Sequence, residues 1–532
     1  MSRTSQIADT QELKLVKPNL ELKGNALKAF FIVVIAIGIF FRFFNINHKV
    51  YWHDEVLTSL RTFGHTASEV TEEMFTGQLT TVGALSEYQH PSPDKDLFDT
   101  LYALKGNAEH PPLYYLMARA WAVAFGSSVA AMRSLPALTS LLALPCMYWL
   151  CLELFGSSLI SWLGMTLVAI SPFHILYAQE AREYSLWIVT TLLSSAAFLR
   201  AHRLKTKGSW RTYAVTVALL LYSHAMAILI CIAHGLYLLL NKGVRKAKTL
   251  KSYLWASIWG FIAFFPWFVA IVITITAIYK TTAGSRRPIS FSRLIDWWFL
   301  NSNRIFLDHE LATFNIIFVV FIIYVLWFIC RRTPRPIWSF ILISSGVTAL
   351  TLMVPDIFFG GKRSSIIRYI VPCIIAIQMS VAYFLAVQLS SPRRWQQNLG
   401  RFLMALIVTT GIVGSTISAR ADIWWTKSVK RSGHYDDIAA ILNQAEDPLL
   451  ISDGKRIEML ALTRHLDSDL PLQLVAEIDS PEVPDNFQNL FLLGPSLNLK
   501  ERMESDEGYT FEPLHEHDDE VKLWKVNRPA ER

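Results

Sequence analysis

The chain has 532 residues, of which 52% are apolar, 13% aromatic and only 17% charged, a balance that excludes an ordinary soluble protein of several domains. Its 50 Lys and Arg against 43 Asp and Glu give a net charge of +7; in a membrane protein the placement of those positives carries more meaning than their sum. GSTISAR and SDGKR lack the spacing of a phosphate loop, and no nucleic-acid partner is expected.

The first 25 residues are polar and lack a cleavage signature, so the run FFIVVIAIGIFFRFF, ending at Phe44, is expected to be a retained span. Further runs long enough to cross a hydrocarbon core as helices predict spans near 28–44, 130–153, 158–174, 184–202, 212–223, 225–240, 253–278, 312–330, 338–354, 367–389 and 402–418. The expected fold class is therefore a polytopic α-helical membrane protein of about eleven spans. The turn between 212–223 and 225–240 must fall near Ser223–Met226.

Short basic segments stay on the cytoplasmic side. Lys14, Lys17, Lys23 and Lys28, the stretches 200–211, 241–251, 330–335 and 391–401, fix the N-terminus inside and the C-terminal region outside. HPPLYYLMARAWAVAFG (110–126) resembles a twelfth span, but counting it as one would put 200–211 and 241–251 outside. It follows Pro111-Pro112 and carries Arg119, so an interfacial helix in the first external loop is expected. The predicted organisation is a tail over 1–27, a transmembrane domain over 28–418 that includes a catalytic external loop at 45–128, and an external domain over 419–532. In that last domain, 436–444 reads as an amphipathic helix, and 449–453, 472–477, 489–494 and 521–526 as strands, a small α/β fold.

Cys146, Cys151, Cys231, Cys330 and Cys373 lie in or beside apolar runs, where thiols act as small hydrophobes, and predict neither disulfides nor a thiolate metal site. The chemistry gathers on the external side. In YWHDEVLTSL, directly after the first span, Asp54 and Glu55 are either solvated boundary residues or partly desolvated carboxylates fit to act as bases. The same side carries Arg182, Lys280, Arg286, Arg287, Arg293, Arg304, Lys362, Arg363 and Arg368, against the positive-inside tendency. These either pair with Glu180, Glu183, Asp296 and Asp308 or grip phosphate, which arginine does through paired donors. His224 and His234 read as hydrogen-bonded core histidines, and the run Asp296-Trp297-Trp298 as an interfacial anchor or a sugar platform.

Four segments carry a resemblance: WHDEV, EHPPLYYLMARAWAVAFG followed by SSVAAMRSLPALTSLLALPCMYWLCLELFG, SPFHILYAQEAREYSLW, and RYIVPCIIAIQMSVAYFLA. In this order they resemble the C-type glycosyltransferase superfamily, in particular the family-39-like group of protein O-mannosyltransferases and the lipid A aminoarabinose transferase. The resemblance implies a cell-envelope enzyme of the bacterial inner (plasma) membrane, with a polyprenyl-phosphate sugar as donor, an active site on the outer face, and a glycan, lipid or protein as acceptor. It makes Asp54 the base, with Glu55 an orienting or acceptor-side partner. Arg368, with Tyr369, matches the basic residue that meets the donor phosphate, and Tyr177, Gln179 and Tyr184 fall in the sugar pocket. Lys362, Arg363 and Arg182 join the donor-binding set. Glu109 and His110 stand where the aminoarabinose transferase has a metal-holding Glu and a phosphate-binding Lys, so His replaces Lys here. A divalent metal on Glu109 with His110 or His309 is an expectation that falls short of a recognisable zinc pattern.

The implied chemistry is consistent with what the residues can do. A sugar phosphate carries an anionic leaving group, which needs no general acid; one base and several cations suffice. A transporter or flippase of lipid-linked sugars is the alternative, but that class calls for paired broken helices and mid-membrane charges. A sensor anchored by its spans needs far fewer of them.

Overall fold

The structure is a computed structural model. It describes residues 21–22, 24–241, 247–424, 427, 429–476, 483–505 and 507–529. The basic residues Lys14, Lys17 and Lys23, part of the 241–251 segment and the end of the 472–477 strand lie outside the described residues. The chain divides into two compact units, Met1–Phe44 with Asn107–Leu113 and Pro136–Ser418, and Asn45–Gly106 with Tyr114–Leu135 and Ala419–Arg532.

The first unit is helical. Among the described residues, eight helices are long and apolar enough to span a membrane: Asn25–Phe43, Val129–Phe155, Tyr184–Leu204, Ala247–Ile273, Ala312–Arg332, Arg335–Phe359, Val371–Leu389 and Arg394–Arg420. A ninth arises if Ser158–Ile170 and Pro172–Ala178, bent by 57°, count as one. Extended Ser171 followed by Pro172 breaks that pair. The remaining two expected spans are the helix Lys207–Ser223 and the short apolar helix Ala225–Leu240. They part at His224, which is extended and whose Nδ1 accepts from the Met226 amide at 3.1 Å. All eleven expected spans thus fall on helices, and the protein is a polytopic helical membrane protein.

One buried charge in this unit is served mainly by backbone. Arg42, fully buried in the first span, donates to Gly38 O and Ala169 O at 2.7 Å, to Val168 O at 3.0 Å and to Ser140 Oγ at 3.1 Å. It thereby serves the orphan carbonyls in the last turn of Ser158–Ile170. The close approach needs Gly38, because a Cβ there would lie 2.2 Å from Ala169 O.

The second unit holds a six-stranded sheet in the order β1-β3-β2-β4-β6-β5. The strands are β1 (Leu79–Thr81), β2 (Pro448–Ser452), β3 (Pro471–Leu474), β4 (Asn489–Leu493), β5 (Thr510–His517) and β6 (Glu520–Asn527). β3, β2 and β4 are parallel, and their near-continuous apolar sequences are those of strands covered on both faces. Leu449, Ile451, Leu490, Leu492, Leu499 and Met503 form the core beside them. The four expected strands are present, and the expected helix is Tyr435–Asn443.

β1 comes from the first loop, pairing antiparallel with β3 in the register Leu79↔Gln473. The loop expected within the transmembrane domain therefore folds with residues 419–532. Gln89 adds to this, donating to Leu460 O at 2.7 Å and Thr463 Oγ1 at 3.2 Å. The helix Leu113–Phe125, 13 residues long, is too short to span. Its Arg119 donates to Thr62 O and Thr100 Oγ1, both at 3.2 Å, within the same unit. A chain ending at Ser418 would leave β1 unpaired. Limited trypsin digestion is then expected to cut at Arg61, Lys95 and Lys105 about tenfold faster than in the full chain; equal rates would show that the loop folds without its sheet.

Candidate active site

The second unit carries the acidic pair. The helix His53–Thr62 starts after extended Trp52 and has Asp54 and Glu55 in its first turn, where the helix dipole favours anions. Consecutive helical positions point about 100° apart, and the two carboxylates separate accordingly. Asp54 is half-buried, whereas Glu55 is 0% exposed. Arg133 Nε and Nη2 donate to Glu55 Oε1 and Oε2 at 2.8 and 2.7 Å. The remaining Arg133 donors reach Ile46 O, Lys49 O and Val50 O at 3.0, 2.8 and 2.9 Å. Glu55, expected beside Asp54 as an orienting or acceptor-side group, is a sealed anion that fixes the helix, because both of its oxygens are engaged by the arginine.

The first unit carries a buried charged cluster. His110 Nδ1 lies 2.9 Å from Glu183 Oε1, and Arg182 Nε lies 3.3 Å from Glu183 Oε2. Burial alone would raise the Glu183 carboxyl; Arg182 and His110 reverse this and hold it well below the usual carboxylate range. The Arg182 and Arg368 guanidinium carbons lie 5.5 and 5.6 Å from the centre of the Tyr184 ring, and Arg368 lies 5.9 Å from that of Tyr369. Tyr177 meets Tyr184 edge to face at 5.1 Å. His224 stacks on Trp187 at 4.0 Å, and burial, helped by His110, Arg182 and Arg368, pushes it down to about 3 despite Glu183. Arg304 is lowered to about 10 by burial, with Asp308 and Tyr177 opposing.

Six of the expected donor-site residues, Tyr177, Arg182, Tyr184, His110, Arg368 and Tyr369, are thus linked through direct contacts. Three are not. Arg363 is clamped to buried Asp356 at 2.7 Å, the same carboxylate that accepts from the Ser364 amide at 2.6 Å. Gln179 donates to Phe41 O and Phe44 O, both at 2.8 Å, and ties off the first span. Lys362 lies 5.9 Å from the Trp297 ring centre. Sequence reasoning missed Arg133 altogether; the available signal was an arginine in the apolar run SSVAAMRSLPALTSLLALPC. His224 was read as a core histidine, although it also faces Glu183.

The proposed metal set does not assemble. His110 Nδ1 meets Glu183, Glu109 Oε1 accepts from Thr281 at 2.8 Å, and His309 is exposed. Among the described residues no three His, Cys, Asp or Glu side chains converge on a metal position.

Residues 109–270 match the family model described as dolichyl-phosphate-mannose-protein mannosyltransferase. No curated protein sequence matches the chain significantly. Among solved structures, ArnT from Cupriavidus metallidurans bound to undecaprenyl phosphate is 14% identical with a TM-score of 0.51, covering 95% of this chain and 98% of that one. The same protein in the apo state is also 14% identical, with a TM-score of 0.52 and coverage of 94% and 97%. These likenesses are of fold. What the chain shares with them is a polytopic helical unit and a small sheet domain. The family match covers residues 109–270, under a third of the chain, and the likeness to the solved structures is one of fold.

Removing one partner of the buried pair is expected to be costly. Arg133→Met strands the Glu55 carboxylate and should destabilise by about 3–5 kcal/mol, while Arg133→Met with Glu55→Leu recovers much of the loss. Thermal melting of the detergent-solubilised protein measures both, and a double variant no better than the single one would refute the coupling.

Proposed function

We propose that this protein transfers a sugar from a polyprenyl-phosphate donor to an acceptor hydroxyl on the extracytoplasmic face of the membrane. The observation that carries the reading is the pair of Arg182 and Arg368 against Tyr184, with His110 beside them on Glu183, which would group cations where a departing phosphate gains charge. The lipid bound in the ArnT structure, undecaprenyl phosphate, is of the proposed donor class. The distribution of Lys and Arg supports an outward-facing site.

Asp54 acts as the base. It accepts the proton of the acceptor hydroxyl, the oxygen attacks the anomeric carbon, and the bond to the lipid phosphate breaks with its electrons leaving on the phosphate oxygen. Arg368 and Arg182 stabilise the lipid phosphate, and His110, held by Glu183, supplies a further donor beside them. One displacement inverts the anomeric centre.

The test uses membranes containing the protein and a panel of radiolabelled undecaprenyl-phosphate sugars, including mannose, glucose and aminoarabinose. Asp54→Asn is expected to lower transfer by about 10²–10⁴-fold, with the wild-type product inverted at the anomeric carbon. Full transfer by the variant would remove Asp54 as base, and net retention would remove the single displacement.

Arg368→Ala is expected to raise KM for the same donor about 10- to 100-fold, the worth of one charge-assisted hydrogen bond. Unchanged KM in a folded variant would reject its contact with phosphate.

A further inference from the structure

Arg464 belongs to the C-terminal segment, just beyond the helix Arg456–Leu462, yet its surroundings come from the first loop. Its Nε donates to Gln89 Oε1 at 3.2 Å and its Nη1 to Ser127 O at 3.3 Å. Its guanidinium carbon lies 4.8 Å from the centre of the Tyr51 ring, which Arg133 approaches at 5.5 Å. Tyr51 is 1% exposed, and its hydroxyl shares a 2.7 Å hydrogen bond with Ser59 Oγ. Ser59 lies on the same helix as Asp54, so Tyr51 clips the lead-in of that helix to its second turn.

The helix start is thereby held at two points. Glu55 is fixed by Arg133, and Tyr51 is fixed by Ser59 below and by Arg464 across its ring. The charged and titratable groups that face Arg464 are Tyr51, Glu55, Arg133 and His90. Glu55 is committed to Arg133, so Arg464 engages the group chiefly through a cation–ring contact with Tyr51. Its Nη2 is buried and makes no hydrogen bond among the described residues. A purely structural arginine would be expected to use that donor, as Arg133 uses all of its own.

We propose that Arg464 is a positioning residue of the transfer site, and that the C-terminal segment is thereby a working part of the catalytic apparatus. It acts through Tyr51 on the first turn that carries Asp54. The inference rests on the reading of Asp54 as base.

The test uses the full chain with Arg464→Met, which keeps the length and removes the charge, and Arg464→Lys, which keeps the charge. Each is purified in detergent and returned to vesicles. Hydrogen exchange is followed over amides 50–62 and, as a control, over 184–204. Arg464→Met is expected to speed exchange at 50–62 about tenfold with the control unchanged, and Arg464→Lys to restore most of the protection. With the undecaprenyl-phosphate sugar that the wild type consumes, Arg464→Met should lower kcat about 10- to 100-fold and leave the donor KM within about twofold.

Unchanged exchange at 50–62 overturns the proposal, as does acceleration spread equally over both regions, which is a general loss of stability. Donor KM rising in step with falling kcat also overturns it. If the wild type consumes no sugar in the panel, the transfer reading fails on that result alone, and the exchange measurement still decides whether Arg464 positions the helix.

Discussion

The ion pair between Glu55 and Arg133 is the constraint on which the second unit of this protein depends. Both side chains are sealed from solvent, so their separation from water must be offset by geometry. Two parallel hydrogen bonds join them, and three backbone carbonyls take the remaining arginine donors. Those carbonyls belong to residues 46–50, the connection that leads into the helix His53–Thr62. One arginine thus fixes the connection, the helix start and its own helix Val129–Leu141. Asp54, the next residue along the helix, inherits a fixed backbone while its side chain points elsewhere.

The same logic recurs at the inner charges. Arg42 sits where the first span would otherwise be wholly apolar, and it closes the carbonyl end of Ser158–Ile170. Gln179 does the corresponding job for the carbonyls of Phe41 and Phe44. Polar groups placed near helix ends in an apolar surround serve backbone groups that have no water to turn to. Such residues look functional in a sequence because they are rare there, and in this chain most of them hold the scaffold.

The class of fold was readable because length and hydropathy alone determine what can cross a membrane, and each expected span falls on a helix. The α/β strands 449–453 and 489–494 were equally readable from their apolar runs. β1 was not: Leu79–Thr81 is three residues long, with one apolar side chain, and only its pairing with β3 makes it a strand. Motif order drew attention to Arg182 and Arg368, which the fold brings to one tyrosine ring, whereas Arg133 stayed hidden because its partner is 78 residues away. A lone arginine in an apolar run announces a need for a partner and gives no indication of which one. Gln179 and Arg363 show contacts that residue type alone did not indicate, the first with the backbone of Phe41 and Phe44 and the second with Asp356.

What separates Arg363 from Arg368 is the nature of their company. Arg363 meets a buried carboxylate, so its charge is neutralised locally. Arg368 also lies beside the rings of Tyr184 and Tyr369, whose quadrupoles help to orient a guanidinium. Arg182 is intermediate, shared between Tyr184 and a Glu183 that also holds His110. Tyr184 thus lies against two arginines, and its loss would misdirect both at once.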